Sequence, residues 1–106
     1  MIARGLLWLG LGLDSATLAH ADEREAGRKL FTSGTTPSCS VCHTLRDAQA
    51  TGEIGPVLDE LKPTAERVAT AVRMGLGVMP PFGDKLSPQQ IDLLSRYVAQ
   101  ASGAAR

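Results

Sequence analysis

The five residues Cys39-Ser40-Val41-Cys42-His43 constrain this chain more than any other stretch. They hold both cysteines of the 106-residue sequence and one of its two histidines within little more than one turn. Random scatter rarely gathers such scarce residues, so a shared chemical task is the economical explanation. A structural zinc site needs four ligands, and two cysteines with one histidine fall short. A thioredoxin-like dithiol belongs in a βαβ unit and leaves the adjacent histidine without a role. A disulfide between Cys39 and Cys42 would close a very small loop and stabilise little.

The chemistry that uses every residue of the motif is attachment of a c-type haem. Each thiol adds across one vinyl group of the ring to form a thioether. The residue after the second cysteine then lies under the iron, where an imidazole nitrogen is a good ligand. The composition agrees. After residue 21 the aromatic side chains are Phe31, Phe82 and Tyr97 alone, among many aliphatic residues. So small a domain often needs a cofactor, metal or disulfide to fold firmly. A large flat ring would give its core the missing bulk.

The N-terminal segment reads as an export signal. Arg4 precedes the apolar run Gly5 to Leu13, and Ala19-His20-Ala21 puts small residues where a signal peptidase reads. The run is shorter than the ~20 apolar residues that span a bilayer. We therefore expect a signal peptide over residues 1–21 and one domain over 22–106, located in the periplasm with no stable membrane insertion after cleavage. Asp14 is unusual so late in a signal, and an uncleaved anchor is the alternative. Cleavage would leave His43 as the sole histidine, with Met74 and Met79 as the remaining methionines.

Three helices are expected in the domain. "DEREAGRKLF" opens with acids, which suit the positive end of a helix, and places Ala26, Gly27, Leu30 and Phe31 on one side. Gly27 weakens a helix interior, and close approach by another element is the natural compensation. Thr64 caps a second helix that carries Ala65, Val68 and Val72 on its buried face and stops at Gly75. Ser87, Pro88 and Gln90 form the start of the third. Its stripe is Ile91, Leu94, Val98 and Ala101, with Tyr97 beside it and Gly103 at its end. Residues 48–56 read as loop, and glycines with Pro80-Pro81 exclude regular structure over 75–86. No stretch alternates with period two, so the fold class is all-α.

With these residues in place, the chain resembles class I mono-haem cytochromes c over nearly its whole length. The resemblance implies a small cytochrome c fold, with crossed N- and C-terminal helices and a third helix around one covalently bound haem c. Cys39 and Cys42 match the attachment motif, with His43 as the proximal ligand. "GPVL" resembles the family segment whose proline carbonyl, here of Pro56, accepts a hydrogen bond from that imidazole. "VMPPF" resembles the loop that brings a methionine, here Met79, to the other side of the iron. The stretch between Phe31 and Cys39 is longer than usual, and the lysines ringing the haem edge in mitochondrial relatives are not evident. A narrower resemblance joins residues 39–63 and 77–98 to small cytochromes that accept electrons from bacterial molybdenum sulfite dehydrogenases.

The function implied is electron transfer in the periplasm, from a dehydrogenase to a terminal oxidase or another cytochrome, without enzymatic turnover by the chain alone. A haem-based sensor or peroxidase-like protein with an open sixth position is the alternative. After cleavage no second histidine remains to supply acid–base chemistry for a peroxidase. Eleven basic and eleven acidic residues balance. Nothing therefore favours a nucleic-acid partner, and protein contacts should lack strong electrostatic steering.

Overall fold

The computed structural model describes residues 15–105. Helix α1 (Ser15–Ser33) and helix α5 (Pro88–Ser102) make the most extensive packing between any two elements. They meet at Gly27, where a Cβ would stand 2.3 Å from Cβ of Tyr97 and 2.8 Å from its Cγ. Only a hydrogen atom fits there, which offsets the cost of a glycine inside a helix. Phe31 then meets the Tyr97 ring edge-on, with centroids 6.3 Å apart. Such a pair contributes about 0.5–1.5 kcal/mol beyond the area it buries.

Helix α1 begins earlier than its acidic residues suggest. Residues 15–21 contain no proline or glycine, so the helix continues upstream through Ala19-His20-Ala21. Asp22, Glu23 and Glu25 therefore lie in its middle, and the first turn has no acid. The apolar run Gly5 to Leu13 lies outside the described residues.

Helix α5 starts as its sequence requires. Ser87 Oγ accepts from Gln90 N at 3.1 Å, while Gln90 Oε1 accepts from Ser87 N at 2.8 Å. Gly103 ends the helix at φ 96°. Ile91, Leu94, Tyr97 and Val98 are buried; Ala99 is buried too, while Ala101 is only half-buried. Two neighbours, α1 and α4 (Ala65–Met74), cover α5 and widen its buried arc beyond one stripe. In α4, Thr64 Oγ1 accepts from Arg67 N at 3.2 Å and Gly75 closes the helix. Val72 is buried, but Ala65 and Val68 are only half-buried.

Between α1 and α4 the chain has more structure than loop. Helix α2 (Cys39–Cys42) is a single turn, and α3 (Leu58–Leu61) is another. Strands β1 (Thr44–Leu45) and β2 (Ala50–Thr51) pair antiparallel around a 3-10 turn at Arg46–Ala48. Two-residue strands are too short to show alternation, so part of the segment expected as loop is a small hairpin. Around these pieces the described residues remain mostly helical, as the all-α expectation has it.

The hairpin turn is tied to both long helices through Asp47. Tyr97 Oη donates to Asp47 Oδ2 at 2.7 Å, Arg28 Nη2 donates to the same oxygen at 2.9 Å, and Arg24 Nη2 reaches Oδ1 at 3.2 Å. Burial opposes ionisation of Asp47, but hydrogen bonds from Tyr97, Arg28 and Arg24 outweigh it and hold the carboxyl below its usual range. A depressed carboxyl contributes stability above its unfolded pKa, about 3.9, and loses it as pH falls through the lower folded value. Asp47→Asn should therefore cost about 1–2 kcal/mol at pH 7, allowing for solvent screening of the arginines. Denaturant midpoints at pH 7 and pH 3 should show the gap between the proteins shrinking in acid.

Candidate functional site

The turn of α2 aims Cys39, Cys42 and His43 at one side. His43 N donates to Cys39 O at 2.9 Å, and then the chain leaves the helix in extended conformation. The imidazole Nδ1 lies 2.8 Å from the carbonyl oxygen of Pro56. A carbonyl can only accept, so Nδ1 carries the proton and Nε2 keeps a lone pair able to bind a metal. This bond fixes both the tautomer and the ring's orientation.

Residues 52–56 fold back over the motif to make that bond. Gly52 N donates to His43 O at 3.2 Å, Thr44 Oγ1 donates to Gly52 O at 2.9 Å, and Gly55 N donates to Cys42 O at 2.6 Å. Glycine is needed twice in this return. A Cβ on Gly52 would stand 2.5 Å from Val41 O, and one on Gly55 would stand 2.7 Å from Cε1 of His43. The two glycines form a cradle for the imidazole and its backbone. They belong to the site, and their only sequence signal was their spacing just ahead of Pro56.

Cys39 and Cys42 form no disulfide and face a cavity of about 850 Å³. That volume lies within the ~300–1,000 Å³ typical of ligand pockets. Burial pushes the Cys39 thiol up to about 11, so it is protonated at neutral pH. The cavity walls are mainly apolar, with Phe31, Leu58, Val68, Val72, Phe82 and Leu94 prominent. Val68 is half-buried because it fronts this space.

Met79 faces the same cavity. It closes a tight turn in which Leu76 N donates to Met79 O and Met79 N to Leu76 O, both at 3.0 Å. Gly77 has φ 61°, the positive value that the first central residue of such a hairpin turn requires. Phe82 N donates to Val72 O at 2.7 Å and returns the chain to α4. Residues expected to be wholly irregular thus include an ordered turn. Met74 is 70% exposed and does not line the cavity.

The structure therefore brings Cys39, Cys42, His43, Pro56 and Met79 to a single apolar space. Among the described residues no cluster of three or more His, Cys, Asp or Glu side chains could hold a metal ion. Two thiols, an imidazole with Nε2 available, a thioether and the glycine cradle fit a covalently attached haem.

Comparison with known proteins agrees with that chemistry. Residues 22–98 match the family described as cytochrome c oxidase, cbb3-type, subunit III. Among solved structures, the chain is similar to the c-type cytochrome SorU from Sinorhizobium meliloti. The identity is 47%, the TM-score 0.74, and the match covers 78% of this chain and 94% of that one. No curated protein matches.

The cradle can be tested in protein purified with its cofactor. Gly55→Ala should push the imidazole away from Pro56, and the ring-proton resonances of His43 should move in NMR spectra. Unmoved resonances would mean that residues 52–56 give way and do not set the ring's orientation.

Proposed function

This chain belongs to the cytochrome c family, and on that premise we propose that Cys39 and Cys42 bind its haem, with His43 and Met79 as the iron ligands. The protein is an electron carrier, and its cofactor is one covalently bound haem c. That cofactor supplies one-electron chemistry, its iron alternating between Fe(III) and Fe(II). The observation that carries the residue assignment is the convergence of both thiols, an imidazole and one thioether on the same cavity. Pro56 holds the His43 ring and raises its basicity as a ligand. Methionine on the other side raises the potential relative to a second histidine, which suits a carrier that receives electrons from a dehydrogenase.

We place the carrier in the periplasm, with residues 1–21 as a cleaved signal peptide and 22–106 as the cytochrome domain. The apolar run and the small residues at 19 and 21 support this, and the family match begins at residue 22. No helix among the described residues is long and apolar enough to cross a membrane. For the donor we favour a molybdenum sulfite dehydrogenase, on the likeness of residues 39–63 and 77–98 to cytochromes that serve such enzymes. A terminal oxidase or another cytochrome would take the electron onward. Ile54, Leu76 and Val78 are exposed at the cavity rim, so the contact there is apolar.

Met79→Ala should lower the reduction potential and remove the weak red-edge absorption of methionine-ligated ferric haem. Met74→Leu should preserve both, and the reverse pattern would overturn the ligand assignment.

Stopped-flow mixing with a cognate molybdenum sulfite dehydrogenase should show reduction that depends on sulfite. With balanced charge, its rate should change little between low and moderate ionic strength. A cognate enzyme unable to reduce the protein would eliminate the sulfite reading and leave the carrier assignment standing.

A further inference from the structure

Among the described residues, Arg67 is the one charged side chain of an otherwise almost apolar cavity wall. It lies in the first turn of α4, three residues after the Thr64 cap. The positive end of a helix disfavours a cation there, so its charge does not serve the helix. The positions that could pair with it along the helix are Pro63, Thr64, Thr70 and Ala71, none of them acidic. Its guanidinium faces the cavity and is paired with no carboxylate among the described residues.

We propose that Arg67 is the cation that pairs with a haem propionate. The inference rests on the reading above, in which the ring occupies this cavity. A haem carries its two propionates on the edge opposite its vinyl groups. Cys39 and Cys42 fix the vinyl edge from α2, which packs on α1 and β2, whereas Arg67 comes from α4, which packs on α5. The thioether wall and the Arg67 wall are thus built by different parts of the fold. A planar guanidinium binds a carboxylate through paired charge-assisted hydrogen bonds. Thr70 also lines the cavity one turn along the same helix face and adds a hydroxyl donor. From the other walls, the titratable groups facing this space are His43, Cys39 and Cys42. None of these competes as a cation for the propionate edge.

The pairing has a redox signature. A cation at the ring's edge opposes the extra positive charge of the ferric state and keeps the propionate ionised. Its loss should lower the potential and let the propionate bind a proton at higher pH. The test is a redox titration of haem-loaded wild type, Arg67→Gln, Arg67→Lys and Glu66→Gln over pH 5–9. Haem content and the red-edge band serve as checks that the ring and its ligands are intact. Arg67→Gln should lower the potential at pH 7 and raise the pKa in its pH profile by about one unit. Arg67→Lys keeps the charge but loses the paired planar hydrogen bonds, so its potential should stay near wild type while its propionate bending mode shifts. Glu66→Gln removes a neighbouring exposed charge and should leave that pKa in place.

With ligands intact, an unchanged profile in Arg67→Gln would overturn the pairing and leave the haem site standing. A comparable pKa shift in Glu66→Gln would also overturn it, because a general field would then explain the effect. If Arg67→Gln does not load haem, the propionate bending mode in resonance Raman spectra of Arg67→Lys decides. A shift from wild type supports the pairing, and an unshifted mode rejects it.

Discussion

A largely apolar cavity of about 850 Å³ in so short a chain is the constraint to which the rest of the fold answers. Protein interiors pack as densely as organic crystals, and a core side chain depends on partner atoms on every side. Val68, Val72, Phe82, Leu94 and Val98 present one side to this space. The ring that a c-type cytochrome carries supplies contacts that the few aromatic residues cannot. The cofactor is then as much a part of the core as any side chain, which explains how a domain with three large aromatics after residue 21 can fold.

A cavity must be held open by something that does not itself need filling. Helix α5 does this by serving two neighbours. Tyr97 turns toward Gly27 of α1, while Leu94 and Val98, on adjoining helical positions, turn toward the cavity. The tie through Asp47 then fixes the hairpin turn against both helices. Burial and the hydrogen bond to Asp47 push the Tyr97 phenol well above its usual range, so it remains a donor at any physiological pH. The result is a frame and a cavity wall on adjoining faces of α5.

Much of this was legible in particular residues. Thr64 and Ser87 marked helix starts because a hydroxyl at that position satisfies an otherwise orphan backbone donor. The spacing of Cys39, Cys42 and His43 pointed to haem chemistry, and all three do line one cavity, while Gly27 announced a close helix contact. The parts that stayed hidden depend on tertiary partners. Leu58–Leu61 is one turn, too short to display a period, and Ala50 pairs with Leu45 only because the Asp47 turn folds between them. Asp47 itself looks like any loop acid until Arg24, Arg28 and Tyr97 converge on it. Gly55 needed the position of the His43 ring before its missing side chain acquired a meaning.

The turn that presents Met79 has a consequence for speed. Its two reciprocal hydrogen bonds close it at one end, and the Phe82–Val72 bond anchors the returning chain to α4. Gly75 is so crowded that a Cβ there would stand 2.9 Å from Met79 O. The sulfur of the proposed ligand is thus carried on backbone with little freedom to drift when the iron's charge changes. Electron transfer is slowed by whatever must move as the charge changes, and a site arranged beforehand has little left to rearrange. The short, doubly fastened loop therefore does for an electron what a rigid binding pocket does for a substrate: the adjustment is made during folding and need not be repeated at each exchange.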